Sequence, residues 1–577
     1  MAISQDVQKR VQQWLIGNFD METKQTVRRM LQEDENLLID SFYKDLEFGT
    51  GGLRGKLGIG TNRMNIYTVG RATQGLANYL KDFFYDIKQI KVVIAHDSRH
   101  NSRLFAETAA NIFSANGIKT YLFDDLRPTP ELSFAIRYLG CQAGIVITAS
   151  HNPKEYNGYK VYWEDGAQII SPHDKKIMKY MDKIEYDQLS FTPNENLIHI
   201  IGEDIDNEYI KATKKIILSP AAIQDNRDIK IVYTPLHGTG IKLLPKMLEQ
   251  LGFTNIYIIQ EQAIIDGDFP TVSSPNPEDP KAMSLALEKA REINADLVLA
   301  TDPDADRLGV AIKTNNQEFV LLNGNQVGSI FAYYLLFQYS QLGLLNTQKD
   351  FIVKTIVTTD LIREIAESYK VQVFETLTGF KYIGALIREL ESERNFLMGA
   401  EESYGYLISD FVRDKDAISS AAFLTEILAW AKQNGKTLFD VLIEIYVKYN
   451  LYHERLVTLI KEGIDGEREI KRIMEKYRNE HIKKINGQKV IFKKDFLLGF
   501  SYDYLNAKQE KINLPQSDVI QFVLENNTKI SIRPSGTEPK IKFYFSVNEK
   551  LDDKKNYSTK VLELENRIDS LQIYFNL

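Results

Sequence analysis

Three aspartates alternate with other residues directly after an apolar run, and this spacing suits a divalent cation. Asp302, Asp304 and Asp306 follow the run LVLA at 297–300. In an extended segment, side chains two residues apart point to one side, and three such carboxylates repel one another strongly. Mg²⁺ relieves that repulsion and favours carboxylate and phosphate oxygens. We therefore predict a Mg²⁺ site on an extended segment, with Arg307 beside it to offset phosphate charge.

Three other interpretations of this acidic segment exist, and one of them is excluded by the sequence. An EF-hand calcium loop is excluded, because its sixth position would be Arg307 rather than Gly and its twelfth Lys313 rather than Glu. A phosphatase-type loop, in which Asp302 is the nucleophile, stays as an alternative. So does an acidic loop that is merely solvated.

A serine hydroxyl lies at the end of a second apolar run, in TASHNP at 148–153. The hydroxyl of Ser150 is a poor nucleophile unless a base or a metal assists it. Ala149 and His151 flank it, so the G-x-S-x-G turn of esterases is absent and acyl transfer is disfavoured. Taken alone, the segment is more typical of a polar turn.

The segment RPSGTEPK at 533–540 has the composition of a phosphate-binding turn. Its central glycine has no side chain, so backbone N–H groups can approach an anion. A plain β-turn between two strands is compatible with the same residues. We predict phosphate binding by Arg533, Ser535, Gly536, Thr537 and Lys540.

The segment GAEESYG at 399–405 follows another strand-like run. The carboxylate of Glu401 and the hydroxyl of Ser403 suit the hydroxyls of a sugar. A capped helix start explains the same residues equally well.

The glycine-rich segment GTGGLRGKLGIG at 49–60 resembles a nucleotide-binding P-loop in composition only. Leu57 follows Lys56 at the position where a P-loop requires Ser or Thr. Nucleotide binding is therefore unsupported, and Arg54 is kept as a candidate phosphate contact.

These polar segments must be positioned by strands, and strand-like and helical runs alternate along most of the chain. Such alternation predicts α/β units with parallel or mixed sheets, whose ligands lie beyond the carboxyl ends of strands. We predict three similar mixed α/β domains around a cleft and a C-terminal α+β domain. Their predicted bounds are 1–205, 206–323, 324–448 and 449–577.

Composition limits the class of protein. The formal charge of −7, with 44% apolar and 26% charged residues, is ordinary for a soluble globular protein and gives no support to nucleic-acid or membrane binding. The single cysteine, Cys141, excludes an intrachain disulfide and is interpreted as a small core residue. We expect a cytoplasmic protein; the sequence leaves monomer and homodimer open.

In chain order, TASHNP, the aspartate segment, GAEESYG and RPSGTEPK resemble the α-D-phosphohexomutase superfamily, and the resemblance spans FGTGGLRG to RPSGTEPKIKFY. The surroundings, such as NGYKVYWEDGAQI, look closest to bacterial α-phosphoglucomutases and the related phosphopentomutase-like branch. Ala400 stands where many relatives have glycine before the first glutamate.

The resemblance implies roles for individual residues. Ser150 would carry the phosphoryl group, and the three aspartates would hold Mg²⁺ together with that phosphate. Glu401 and Ser403 would contact the sugar, and the Arg533 loop would hold the phosphate that does not react. The remaining implied cleft residues are Arg54, His151, Lys160, Lys381 and His237.

The resemblance implies a phosphosugar mutase that interconverts glucose 1-phosphate and glucose 6-phosphate through glucose 1,6-bisphosphate. We expect Lys160 to be the general acid and base, because nearby cations can lower the pKa of a lysine; His151 is the second choice. Pentose and mannose phosphates are the alternative substrates. The rival functions are a metal-dependent phosphatase, a sugar bisphosphate synthase and a non-catalytic sugar-phosphate-binding protein.

Overall fold

The structure is a computed structural model that describes residues 3–49, 51–186, 189–461, 463–535 and 540–577. The described residues divide into two compact units. The first unit comprises the described parts of Met1–Asn323, with Phe380–Gly399 and Ser403–Gly435. The second comprises Gly324–Gly379, Ala400–Glu402 and the described parts of Lys436–Leu577.

The first unit begins with the helices α1 (Gln5–Ile16), α2 (Met21–Glu33) and α3 (Glu35–Phe42). The carboxylates of Asp20 and Asp34 accept backbone N–H groups of the first turns of α2 and α3, which fixes where these helices begin. Apolar residues of the helices pack around the buried Trp14, whose ring stacks on Phe19.

A mixed sheet follows, with the strand order β1-β2-β6-β5-β3-β4-β7. The residues of β5 are all buried, and this strand is parallel to β3 and antiparallel to β6. Continuous burial of a short apolar run is typical of a strand covered on both faces. The elements are β1 (Phe48–Gly49), β2 (Gly52–Lys56), α4 (Ile66–Phe83), β3 (Lys91–His96), α5 (Ser102–Ala115), β4 (Lys119–Phe123), α6 (Thr129–Leu139), β5 (Ala143–Ile147), β6 (Tyr156–Trp163), α7 (His173–Met181), β7 (Ile198–Ile201) and α8 (Glu203–Thr213).

A second sheet of the first unit has the order β12-β11-β10-β8-β9. Its strands β9, β8 and β10 are parallel, and β11 and β12 continue antiparallel. The fully buried β10 ends at Thr301, directly before Asp302. The elements are α9 (Pro220–Asp225), β8 (Lys230–Thr234), α10 (Leu244–Leu251), β9 (Asn255–Ile258), α11 (Gln260–Ala263), α12 (Ser284–Glu292), β10 (Leu297–Thr301), β11 (Leu308–Lys313) and β12 (Phe319–Leu322).

The next part of the chain contributes to both units. In the second unit, β13 and β14 pair in parallel, and α13 packs against α14 and α17. In the first unit, α16 packs against α9 and α10. The elements are α13 (Gly324–Gln341), β13 (Asp350–Thr355), α14 (Leu361–Ser368), β14 (Gln372–Thr376), α15 (Phe380–Leu390), β15 (Asn395–Ala400), β16 (Tyr406–Ile408), α16 (Ala417–Gln433) and α17 (Leu438–Lys448).

The C-terminal part of the second unit is an antiparallel sheet of order β17-β24-β23-β22-β19-β20-β21, with β18 paired to β19. The rings of Phe543 and Phe545 in β24 pack against Phe575 of α19. The elements are β17 (Leu451–Ile460), α18 (Gly463–Asn479), β18 (Lys484–Ile485), β19 (Gln488–Asp495), β20 (Phe500–Asp503), β21 (Lys508–Lys511), β22 (Ile520–Leu524), β23 (Lys529–Pro534), β24 (Lys540–Glu549) and α19 (Tyr557–Phe575).

The predicted alternation of strands and helices is present as the repeats β3-α5-β4, β8-α10-β9 and β13-α14-β14. The predicted domain bounds stay predictions. Within the described ranges, none of the helices combines the length and the apolar character that crossing a bilayer requires.

Candidate functional site

The three aspartates form a buried acid cluster, which we define as Asp302, Asp304 and Asp306. Each is at most 1% exposed, and one carboxylate oxygen from each lies within 4.8 Å of the others. The predicted extended segment is wrong. Asp302 O accepts a hydrogen bond from Ala305 N at 2.9 Å, and Ala305 has a left-handed φ of 49°. The carboxylates therefore converge through a tight turn rather than through the alternation of a strand.

Two oxygens of the acid cluster are unsatisfied. Oδ1 of Asp304 and Oδ1 of Asp306 are buried and accept no hydrogen bond from any described residue. Buried polar atoms are normally satisfied, so such atoms indicate a missing ligand. Convergent carboxylate oxygens are the donors that Mg²⁺ prefers, and the cluster fits this ion.

The pKa values within the acid cluster are pushed apart. Burial, with the charges of Asp304 and Asp306, raises the pKa of Asp302 well above its usual value. Burial also acts to raise the pKa of Asp306, but the cations of Lys415, Lys160 and Arg307 outweigh it and lower this pKa. The protein's own cations thus offset the negative charge on one side of the cluster more than on the other.

Ser150 lies directly against the acid cluster. Its Oγ donates a 2.8 Å hydrogen bond to Oδ2 of Asp302, although the two residues are 152 positions apart in sequence. Ser150 has a left-handed φ of 52°, a conformation that costs a residue with a side chain about 1–2 kcal/mol. Its N–H donates to Thr148 Oγ1 at 2.8 Å, which helps to hold this turn. The structure thus brings the predicted serine and metal segments together.

A glycine allows β6 to approach the serine segment closely. A Cβ on Gly158 would lie 2.4 Å from the carbonyl oxygen of Thr148 and 3.0 Å from that of Leu53. Only glycine fits such an approach on both sides. This packing places the neighbouring Lys160, on the same strand, beside the acid cluster.

Lys160 is an ion-pair partner of the acid cluster. Its Nζ lies 2.7 Å from Asp304 Oδ2 and 3.4 Å from Asp306 Oδ2. Burial lowers the pKa of Lys160, but these two carboxylates outweigh burial and raise it. The expectation that neighbouring cations lower this pKa is therefore wrong, because the nearest charges are anions. Its role as acid or base stays a prediction.

His151 also contacts the serine. Its Nδ1 lies 3.2 Å from Ser150 Oγ, and its backbone carbonyl accepts a hydrogen bond from Ser274 Oγ at 3.0 Å. Burial lowers the pKa of His151 well below its usual value, and the cations of Arg307 and Arg54 lower it further. The ring is therefore neutral at neutral pH.

Lys415 is a site residue that the sequence analysis missed. Its Nζ lies 3.2 Å from Asp306 Oδ2 and 3.1 Å from Asp414 Oδ1. The available signal was a lysine between two acids in RDKD, shortly after the GAEESYG segment. The start of α16 also supports the acid cluster, because Ala417 N donates to Ala305 O at 3.2 Å.

The side chains of Arg54 and Arg307 lie beside the serine and acid segments. Arg54 Nη1 donates to Asn152 Oδ1 at 3.4 Å. Arg307 Nη1 donates to Glu278 Oε1 at 2.6 Å, so this guanidinium has an anionic partner within the protein. Their predicted contacts with phosphate stay predictions.

Three other residues of the first unit bear on the predicted cleft. Lys381 lies on α15, with its Nζ 5.2 Å from the ring centre of Tyr382. Ser403 lies in a half-buried bend between β15 and β16. Both ring nitrogens of His237 are engaged, with Ile264 O and Thr271 Oγ1, at 2.8 Å each. This histidine therefore supports its own loop.

In the second unit, Glu401 lies after β15, where no helix begins, so a capped helix start is excluded as its explanation. It is 6% exposed, and its Oε1 accepts a hydrogen bond from Gly379 N at 2.7 Å. Burial raises the pKa of Tyr544, the charges of Glu402 and Glu401 add to this, and Arg533 opposes it. These residues are thus within electrostatic reach of one another inside the second unit.

The predicted phosphate turn is described in part. Ser535 N donates to Lys540 O at 2.7 Å, which adds to the pairing of β23 with β24. Gly536 and Thr537 lie outside the described residues, and their predicted contacts stay predictions. Cys141 is buried, and burial raises the pKa of its thiol to about 12, as befits a core residue.

Models of one protein family match most of the chain. The family described as phosphoglucomutase/phosphomannomutase, alpha/beta/alpha domain I, matches residues 45–188. Domains II and III of the same family match residues 207–315 and 323–449. These matches confirm the predicted succession of three α/β domains, and the C-terminal sheet supplies the further domain.

Curated relatives and solved structures agree with that match. The chain is 40% identical over 508 residues to a phosphoglucomutase of Staphylococcus epidermidis, covering 87% of this chain and 91% of the relative. It is 39% identical over 509 residues to a phosphoglucomutase of Staphylococcus haemolyticus, covering 88% and 91%.

Two solved structures share the fold. The open form of pp63/parafusin (phosphoglucomutase) from Paramecium has a TM-score of 0.67 at 19% identity, covering 92% of this chain and 96% of that chain. A phosphoglucomutase/phosphomannomutase family protein from Burkholderia thailandensis has a TM-score of 0.62 at 17% identity, covering 91% and 97%.

Proposed function

The chain belongs to the phosphoglucomutase/phosphomannomutase family, and we propose that it interconverts glucose 1-phosphate and glucose 6-phosphate. The observation that carries this proposal is the 2.8 Å hydrogen bond from Ser150 Oγ to Asp302, inside a buried cluster of three carboxylates. It supports a hydroxyl that carries a phosphoryl group beside a metal site. The curated relatives support glucose phosphate as the substrate.

In the proposed first step, the free hydroxyl of the bound sugar phosphate attacks the phosphoryl group on Ser150. The bond from phosphorus to Oγ breaks, and a bond from phosphorus to the sugar oxygen forms. The sugar hydroxyl loses its proton and Oγ gains one, so the step gives glucose 1,6-bisphosphate and free Ser150. Positioning and electrostatics dominate catalysis of such transfers.

In the proposed second step, the bisphosphate turns round and Oγ of Ser150 attacks its other phosphoryl group. The bond from that phosphorus to the sugar oxygen breaks, Oγ loses its proton and the sugar oxygen gains one, which leaves glucose 6-phosphate and phosphorylated Ser150. One site must therefore accept the sugar in two opposite orientations. Glu401 and Ser403 would contact equivalent hydroxyls in both, and the Arg533 loop would hold the phosphate that does not react. The electrostatic proximity of Glu401, Glu402 and Arg533 around Tyr544 supports this part of the proposal.

The cofactor of the proposed reaction is Mg²⁺. Asp302, Asp304 and Asp306 would hold it together with the phosphate on Ser150. When bound, it supplies positive charge that stabilises the transferring phosphoryl group. Lys160, Lys415 and Arg307 add fixed positive charge around the same carboxylates.

The proton transfers divide between two residues in this proposal. The raised pKa of Lys160 keeps its ammonium charged, so it carries a proton and cannot accept another, and it also makes Lys160 a weaker acid than a free lysine. The lowered pKa of His151 keeps its ring neutral, and its Nδ1 faces Ser150 Oγ. From this position we favour His151 as the acceptor of the proton that Ser150 Oγ loses in the second step, and Lys160 as the proton donor.

The phosphatase alternative is less well supported. Both carboxylate oxygens of Asp302 are engaged, Oδ2 with Ser150 and Oδ1 with the backbone N–H groups of Asp306 and Arg307. A carboxylate held in this way is oriented as a ligand rather than freed as a nucleophile.

A coupled assay for glucose 6-phosphate tests the proposed function. Glucose 1-phosphate, Mg²⁺ and a trace of glucose 1,6-bisphosphate are supplied, with mannose, N-acetylglucosamine and pentose 1-phosphates in parallel. We expect glucose 1-phosphate to be preferred and Ser150→Ala to abolish turnover, whereas the exposed control Ser284→Ala stays active. Near-normal turnover in Ser150→Ala, or release of free phosphate in place of isomerisation, would contradict the proposal.

A further inference from the structure

Arg99 is a buried arginine whose guanidinium binds the backbone around the proposed phosphorylated serine. We define the serine loop as residues 148–156. The side chain of Arg99 is 0% exposed. Its two terminal nitrogens donate to the carbonyl oxygens of Ser150 at 2.6 Å, Pro153 at 2.8 Å, Tyr156 at 3.0 Å, and Asn152.

The guanidinium is itself held from two sides. Asp97 Oδ2 lies 3.3 Å from Arg99 Nε, and Asp97 Oδ1 accepts hydrogen bonds from Arg99 N at 2.9 Å and from Ser102 Oγ at 2.7 Å. The ring of Phe269 covers the guanidinium, with its centre 5.0 Å from Cζ. An ion pair and a cation–π contact thus fix the group in a dry environment.

These contacts hold the part of the serine loop that determines the direction of Ser150 Oγ. The carbonyl of Ser150 belongs to the same residue that adopts the left-handed φ of 52°. A carbonyl bound by a fixed cation cannot rotate freely, so the peptide plane after Ser150 is held. The orientation of Oγ toward Asp302 depends on that plane.

We propose that Arg99 is a positioning residue for phosphoryl transfer, which holds the serine loop so that Ser150 Oγ faces the acid cluster. The inference rests on the proposed function, since it assigns Arg99 a role in that transfer. Arg99 touches neither the acid cluster nor the hydroxyl in any contact found among the described residues. It acts through the loop.

The geometry requires arginine rather than any cation. A guanidinium offers five N–H donors in a planar fork, whereas a lysine ammonium offers three donors from one atom. Carbonyl groups spread over the serine loop cannot all be reached from one nitrogen. Arg99→Lys therefore keeps the charge beside Asp97 and removes most of the hold on the loop.

The test compares Arg99→Lys with Arg103→Lys in the full-length protein. Arg103 is a matched control, because its Nη1 also donates to two backbone carbonyls, of Phe123 at 3.0 Å and Asp124 at 2.9 Å, away from the serine loop. Two quantities are measured: hydrogen exchange of the amides in residues 148–156, and the single-turnover rate of phosphoryl transfer from phosphorylated enzyme to glucose 1-phosphate.

We expect Arg99→Lys to speed exchange in the serine loop and to slow single-turnover transfer about 100-fold, the scale of an ångström-sized misplacement of reacting groups. The KM, measured separately in steady state, should stay near its wild-type value, because Arg99 is proposed to act through the loop and not on the substrate. Arg103→Lys should change neither quantity. A merely structural arginine would lower the melting temperature without slowing transfer per folded molecule.

Unchanged loop exchange in Arg99→Lys, or transfer within about twofold of wild type, would overturn the inference. If Arg99→Lys does not fold, Asp97→Asn decides, since it keeps the volume and removes the charge that orients Nε. It should shift both quantities in the same direction by a smaller amount, and wild-type values would overturn the inference. If the wild type does not transfer phosphate, the proposed function is refuted. Hydrogen exchange of residues 148–156 then still tests whether Arg99 restrains the serine loop.

Discussion

Two charge clusters, one in each unit, show different solutions to the same electrostatic problem. In the first unit, the acid cluster gathers three carboxylates and leaves oxygens of Asp304 and Asp306 without a donor among the described residues. In the second unit, a cluster that we name the closed ion cluster pairs each acid with cations. Its members are Lys354, Asp360, Glu375 and Lys529.

Each carboxylate of the closed ion cluster has a lysine partner. Lys354 Nζ lies 2.9 Å from Asp360 Oδ1 and 2.8 Å from Glu375 Oε1, and Lys529 Nζ lies 2.7 Å from Asp360 Oδ2. Gln521 Nε2 also donates to Ile356 O at 3.0 Å. The contacts of Lys529 and Gln521 tie the C-terminal sheet to the segment between β13 and α14 inside the second unit.

The pKa values of Glu375 and Asp302, one carboxylate from each cluster, are shifted in opposite directions. Burial works to raise the pKa of Glu375, but Lys354, Lys529 and Arg363 outweigh burial and lower it to about 2. In the acid cluster, burial and neighbouring carboxylates raise the pKa of Asp302. A cluster whose charges cancel stabilises the fold, whereas one whose charges do not cancel is suited to a ligand.

Asp304→Asn should give the largest effect on activity. The amide keeps the size of the side chain but removes one charge from the proposed metal site, so we expect turnover to fall about 10²- to 10³-fold. The free energy of unfolding should change little, because the relief of repulsion within the cluster offsets the weakened ion pair with Lys160. Steady-state kinetics and urea denaturation on one preparation measure turnover and the free energy of unfolding. A variant that is both inactive and strongly destabilised would contradict the contrast between the two clusters.

Lys354→Met should show the reverse pattern. It removes a fully buried ammonium and leaves two partly exposed carboxylates with fewer partners, so the free energy of unfolding should fall by about 3 kcal/mol. Turnover per folded molecule should change far less than in Asp304→Asn. The exposed Lys349→Met is the control for denaturation. Unaltered stability would show that the closed ion cluster is not structural.

Arg533→Ala sharpens the comparison within the second unit. If Arg533 binds the phosphate that does not react, its loss removes charge-assisted hydrogen bonds, and KM should rise about 10- to 100-fold. The kcat should change little, and the exposed Arg472→Ala should match wild type. A fall in kcat alone would assign Arg533 to the reacting phosphate instead.

Acid should weaken the second unit through the closed ion cluster. Cations lower the pKa values of Asp360 and Glu375 below those of the unfolded chain, so their stabilisation is present above about pH 4.5 and is lost as the pH falls toward about 2. With partial exposure, about 1–2 kcal/mol should disappear over that range. Hydrogen exchange of β13 and β14 against pH measures the loss. In Lys354→Met the slope should be much shallower, and an identical slope would remove these carboxylates from the explanation.

The sequence could predict those parts of the site whose residues lie close together along the chain. Asp302, Asp304 and Asp306 stand together after a buried strand, so strand position and residue type predicted a metal site. The role of Ser150 came from the family resemblance, because its segment alone is typical of a polar turn. The predicted geometry of the aspartates was wrong in detail, because a left-handed Ala305 bends a segment that alternation alone makes extended.

Residues that join the site across long sequence separations escaped prediction. Lys415 and Arg99 look like surface charges in the sequence, since only the folded chain shows what they face. The pKa of Lys160 was predicted in the wrong direction for the same reason: its nearest charges, on Asp304 and Asp306, come from another sheet. The repeats of strand and helix were predictable because their periodicity is local.

Phosphopeptide mapping tests the central claim most directly. The protein is incubated with Mg²⁺ and glucose 1,6-bisphosphate, digested, and analysed by mass spectrometry under conditions that preserve acyl phosphates. We expect one phosphoryl group on Ser150, which is lost when glucose 1-phosphate is added in excess. A phosphoryl group on Asp302, or none on the peptide that contains Ser150, would contradict the account.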